Sequence, residues 1–159
     1  MKIWLSACVS ALILSVSAAP VTYRDHSGRV TGRATQNGNV TTYRDQTGRT
    51  VGTATRNGNK IIYRDHTGRM TGTAVQNGST VTYRDQTGRT VGTATQNGNN
   101  TTYRDHSGRV TGRSAQSGSQ TTYRDHTGRT AGYSSPQTSP GTGIPADSFY
   151  RVQSPAPPK

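Results

Sequence analysis

The stretch Val21-Thr-Tyr-Arg-Asp-His-Ser-Gly-Arg-Val-Thr-Gly-Arg-Ala-Thr-Gln-Asn-Gly-Asn39 decides the fold, because five more near-copies follow it in register, to about Tyr133. The tyrosines mark each return: Tyr23, Tyr43, Tyr63, Tyr83, Tyr103 and Tyr123. A fixed period of twenty residues makes the unit, not the chain, the thing to explain. In every copy Tyr-Arg-Asp is followed by a Gly-Arg and then by a second glycine.

Each unit carries two turn signals. Asp25-His26-Ser27-Gly28 puts aspartate at the first position of a type I turn, where its carboxylate accepts backbone N–H bonds. The glycine follows where the chain must turn left-handed. Asp45 to Gly48 and the later copies repeat this. The result is a three-residue hairpin loop, which predicts Asp25 facing Arg29 as a cross-strand ion pair. The second signal is Asn37-Gly38, repeated at Asn57, Asn77 and Asn97 and replaced by Ser117-Gly118, and Asn-Gly between extended segments is a strong short hairpin signal.

Between the turns lie segments of about seven residues rich in Thr, Val and Tyr, with no amphipathic helical period. The prediction is an all-β protein: an antiparallel β-hairpin repeat meander of six units and eleven or twelve strands, arranged as a radial flower or rosette or closed into a barrel-like array. Gly32, Gly52 and their counterparts fall inside strands, where glycine weakens the ladder. Either something approaches the backbone there, a tyrosine ring from a neighbouring strand being the first candidate, or each glycine marks a bend or bulge.

The apolar content limits the core. After the first eighteen residues the chain has no leucine and no tryptophan, and across the repeats its larger aliphatic side chains are a few valines with Ile61, Ile62 and Met70. Burying one such side chain contributes about 1.5–3 kcal/mol, against about 1–2 kcal/mol per residue to order the backbone. Ladder hydrogen bonds, tyrosine burial and unit-on-unit repetition must therefore hold the array.

Residues 1–18 differ from the rest: Lys2, an apolar run, and small residues at Val16-Ser17-Ala18. They read as a cleaved secretory signal peptide, too short to span a bilayer, and no other segment is a candidate transmembrane helix. Export to the periplasm or exterior is expected. Cleavage removes Lys2 and the single cysteine, Cys8, and lowers the formal charge from +12 to +11. The repeat domain is placed at residues 19–133, followed at 134–159 by a Pro/Ser-rich tail read as disordered. That tail holds six of the seven prolines.

The spacing Tyr-x-Asp-x-x-Gly-Arg, with a second glycine and a new hairpin after Asn-Gly, resembles the YD repeats of Rhs-type bacterial surface and toxin-delivery proteins. It is also similar to the unit of small exported bacterial proteins described as five-fold β-flowers. The chain departs from the YD pattern by the arginine between Tyr23 and Asp25 and its copies. The resemblance implies a hairpin-repeat shell without catalytic residues.

The remaining chemistry is sparse. His26, His66, His106 and His126 share one loop position that glutamine fills in the other two units, which fits an exposed turn residue better than a metal ligand. Asp25-His26-Ser27 names the residue types of a hydrolase triad, but neighbours in one tight turn cannot face one another as a triad must. No enzyme, cofactor or metal site is expected. Sixteen of the nineteen basic residues are arginine, two of them in every unit. An array of that charge suits an anionic polymer such as lipopolysaccharide, a cell-wall polymer or DNA, with Arg33 and Arg113, outside the expected Asp-Arg pairs, as candidate contacts. The alternative is a functional-amyloid-like surface protein that self-associates through its polar repeats.

Overall fold

Residues 20–136 are described by the computed structural model, so the expected signal peptide and most of the Pro/Ser-rich tail lie outside the described residues. Among these residues twelve strands follow one another. They are β1 (Val21–Asp25), β2 (Val30–Asn37), β3 (Val40–Asp45), β4 (Thr50–Asn57), β5 (Lys60–Asp65), β6 (Met70–Asn77), β7 (Thr80–Asp85), β8 (Thr90–Asn97), β9 (Asn100–Asp105), β10 (Val110–Ser117), β11 (Gln120–Asp125) and β12 (Thr130–Pro136). Each pairs antiparallel with its sequence neighbours, and β12 pairs back onto β1, so the sheet is a closed barrel. The last strand thus continues three residues past Tyr133.

Closure follows from the repeat. Tyr23 pairs with Gly32, and Gly32 pairs with Asp45, two residues further along its unit than the matching Tyr43. A constant stagger of this kind is what tilts strands and closes a barrel. At the seam Asp25 faces Gly132 and Tyr23 faces Ser134, the register that joins Asp45 to Gly32 and Tyr43 to Ala34. The sixth unit meets the first as though the first were the seventh.

The core is the barrel interior. All six repeat tyrosines are buried, with Ala34, Ala54, Ala74, Ala94, Val21, Ile61 and Val81, while Val51 and Val91 pack against them. Around the circumference each tyrosine stands between small residues: Tyr43 between Ala34 and Gly52, Tyr63 between Ala54 and Gly72. Twelve strands enclose more space than the roughly eight whose side chains just fill a small barrel. A long aromatic ring from every second strand makes up the difference. In units five and six serine replaces that alanine, and its hydroxyl reaches a tyrosine: Tyr103 Oη to Ser114 Oγ at 3.0 Å and Tyr123 Oη to Ser134 Oγ at 3.1 Å.

The in-strand glycines answer to both expectations, with one correction. The register shifts beside each of them, between Tyr23 and Arg24 in the first unit, so each marks a bulge. The close approach is also there, but it is made by backbone, not by a tyrosine ring: a Cβ on Gly32 would stand 2.6 Å from the carbonyl oxygen of Arg44. The second turn is corrected as well. Asn37 pairs with Val40, so the two loop residues are Gly38 and Asn39, one place later than the Asn-Gly pair, and Gly38 takes the positive φ of 55°. The loop carbonyl of Asn39 then accepts from Arg56 N–H at 2.8 Å, tying one hairpin to the next.

Candidate anion-binding rim

In an up-and-down barrel every Asp-led loop lies at the same end, so the unit's charges are gathered by topology. Twelve of the fifteen arginines among the described residues, Arg24 and Arg29 with their copies, belong to this rim. The opposite end carries the Gly-Asn and Gly-Ser turns, where among the described residues only Lys60 and Arg56 are charged. Arg56 follows the inward parity of Ala54, and its Nη2 reaches Gln76 Oε1 at 3.4 Å.

The loop forms as a type I turn closed by a left-handed glycine. Gly28 N–H donates to Asp25 O at 3.0 Å, Asp25 N–H to Arg29 O at 2.9 Å, and Gly28 has φ 82°. The Asp25 carboxylate is not ion-paired with Arg29, as the sequence suggested. Its Oδ1 accepts the Ser27 hydroxyl at 2.6 Å and the N–H groups of Ser27 and Arg29 at 2.9 and 3.0 Å. A carboxylate that takes three donors from its own loop has its position fixed by them, and the arginine side chain contributes at most its charge, as Arg49 and Arg89 do toward Asp45 and Asp85. All six aspartates do the same, with threonine in the serine's place in four units. The Ser27 hydroxyl, foremost, and the two N–H groups hold the Asp25 carboxyl below its ordinary 3.8, against a partial desolvation that works the other way.

The two arginines of the unit divide their work. Arg24 Nη1 donates to Gly28 O at 2.9 Å, and its counterparts repeat this bond at up to 3.1 Å, so the loop carbonyl is capped by a guanidinium pinned in place. Arg29 is exposed at the loop's end, and only its main chain enters the hydrogen bonds of the turn. The four loop histidines are exposed, and among the described residues no group of three or more His, Cys, Asp or Glu could hold a metal ion.

Arg33 and Arg113 lie elsewhere, on the outer wall. Arg33 faces Arg44 directly across β2 and β3, and Arg113 faces Arg124 across β10 and β11. In the intervening units the facing residue is Thr53, Thr73 or Thr93, and at the seam Tyr133 faces Arg24. The sequence reading missed Arg44 and Arg124. Counting back equally from the Gly-Asn turn on both strands would have found them, since strand partners across a hairpin are equidistant from its loop.

Among the described residues no helix is long and apolar enough to cross a membrane. Neither protein-family models nor curated proteins give a match to the chain.

Proposed function

We propose that this is an exported, envelope-associated or secreted binding barrel without catalytic activity, and that its arginine-rich rim holds anionic polymers. The observation that carries this reading is the segregation of charge: twelve guanidiniums share one end with six carboxylates already engaged by their own loops. Fields from charges gathered on one face add, and guanidinium forks suit phosphate and carboxylate.

The test is binding of the mature chain to duplex DNA and to lipopolysaccharide over a range of salt. On DNA the log-log slope should approach about −0.9 for each phosphate neutralised. Replacing Arg69 and Arg109 by alanine should weaken binding and reduce the slope with the fold intact, because those side chains cap nothing and their charges do not hold the loop aspartates. Undetectable binding at low salt would end the polymer reading. The second reading, a self-assembling surface protein, needs a free strand edge, and closure through β1 and β12 supplies none unless the seam opens. Fibres with a spacing of about 4.7 Å would favour it.

A further inference from the structure

Arg33 and Arg44 stand at directly opposed positions on the outer wall, and so do Arg113 and Arg124. Like charges at such positions, with Cβ atoms about 4.5–5.5 Å apart, repel and weaken a sheet. Among the described residues no carboxylate on the wall neutralises them. The six aspartates follow the other parity, paired with the inward glycines, and each directs Oδ1 into its own loop. Among the described residues neither the Arg33 nor the Arg113 side chain has a hydrogen-bond or ion-pair partner. Three of the six units place threonine at this position, so the barrel tolerates a neutral residue there.

The other member of each pair is held in place. Arg44 Nη1 donates to Gly48 O at 3.0 Å, and Arg124 Nη1 to Gly128 O at 3.1 Å. A guanidinium has five N–H donors, so a fork remains free after that bond and its orientation is already fixed. Arg33 and Arg113 then supply a second, exposed fork beside a fixed one. Two guanidiniums side by side, one preordered, form a clamp for a tetrahedral oxyanion, which relieves their repulsion and accepts bidentate bonds from both.

We infer that Arg33–Arg44 and Arg113–Arg124 are two phosphate-binding clamps, each pairing a wall arginine with an arginine of the rim. The inference rests on the anionic-polymer reading for its biological use, though not for its chemistry. It assigns the two wall arginines phosphate groups as ligands, free or displayed on a polymer.

The experiment titrates the mature chain with inorganic phosphate at low ionic strength and follows the arginine Nε–Hε resonances, with chloride at matched ionic strength as control. Arg33, Arg44, Arg113 and Arg124 should shift together and saturate, while Arg64 and Arg84, which face threonine, should not move. Arg33→Thr should abolish the response of Arg44 and leave the second clamp intact. Thr73→Arg should create a new saturable response at Arg84, which faces it. Equal shifts at all arginines, shifts that chloride reproduces, or an Arg44 response that survives Arg33→Thr would overturn the clamps while leaving the polymer reading standing. Saturable, pair-specific shifts without any binding of DNA or lipopolysaccharide would keep the clamps and remove the polymer reading. Phosphorylated polymer and free phosphate are separated by competition: only a polymer that engages both clamps should displace phosphate from both pairs at once.

Discussion

The carbonyl oxygen of Arg44 occupies the space that a side chain on Gly32 would need, 2.6 Å from the missing Cβ. The obstacle is main chain in a hydrogen-bonded ladder and cannot swing aside as a flexible side chain would. The same juxtaposition recurs at all six in-strand glycines, where the bulge of one strand presses on the next. Gly32→Ala should therefore destabilise the barrel by at least the 1–3 kcal/mol that is typical of about one methyl of overpacking. Gly28→Ala, which meets nothing within 4 Å but must hold φ at 82°, should cost about 1–2 kcal/mol. Chemical denaturation of the two variants gives the order, and a milder effect at Gly32 would contradict the bulge geometry.

The loop chemistry separates the two repeat arginines. Arg64→Ala removes the donor that caps Gly68 O at 2.9 Å and should cost about 0.5–1 kcal/mol, as an exposed hydrogen bond does. Arg69→Ala, whose side chain caps nothing, should leave the melting temperature within error. An ion pair between Arg69 and Asp65 would reverse that order, so the comparison tests the loop assignment directly.

Acid should loosen all six loops together. Each aspartate is held below its ordinary 3.8, first by the Ser or Thr hydroxyl and then by backbone N–H groups, with desolvation opposing. A carboxyl with a depressed folded-state pKa contributes stability above the unfolded value and loses it as pH falls through the folded value. The melting temperature should thus be flat from neutral pH to just above 3.8 and decline below it. Asp65→Asn should lower the plateau and reduce the acid slope by one loop's share. A melting temperature that ignores acid would show that the carboxylates do not hold the turns.

The seam offers a test of closure. Because Val21 pairs with Pro136 in the register of an ordinary hairpin, joining them through Asn-Gly-Asn-Thr should build a sixth turn of the Gly-Asn kind without strain. A chain so joined and reopened between Gly58 and Asn59 should fold to the same circular dichroism spectrum and melt within a few degrees of the parent. Failure of both the joined, unopened chain and the permutant to fold as the parent does would place the ends apart and the barrel open.

Much of this architecture is legible in the sequence, and for physical reasons. Turns are local, so Asp25, Gly28 and Gly38 announce themselves through the conformations only certain residues adopt. Closure is not local. It depends on a stagger of two residues between Tyr23 and Asp45, which appears only when two hairpin registers are combined, and the sequence left a rosette and a barrel equally open. The expected Asp25–Arg29 ion pair failed because three nearer donors compete for the carboxylate. The wall partners of Arg33 and Arg113 were missed because the loop was placed one residue early, which shifts every cross-strand pair.

The seam register has a consequence for inheritance. A unit of twenty residues is encoded by a whole number of codons, and its copies stand in tandem. Slippage between them removes or adds one entire hairpin in frame, and because every hairpin brings the same stagger, the two free edges still match afterwards. Mutation of this kind changes the circumference of the product and the number of arginine loops around it, where in most folds it would leave only a broken chain.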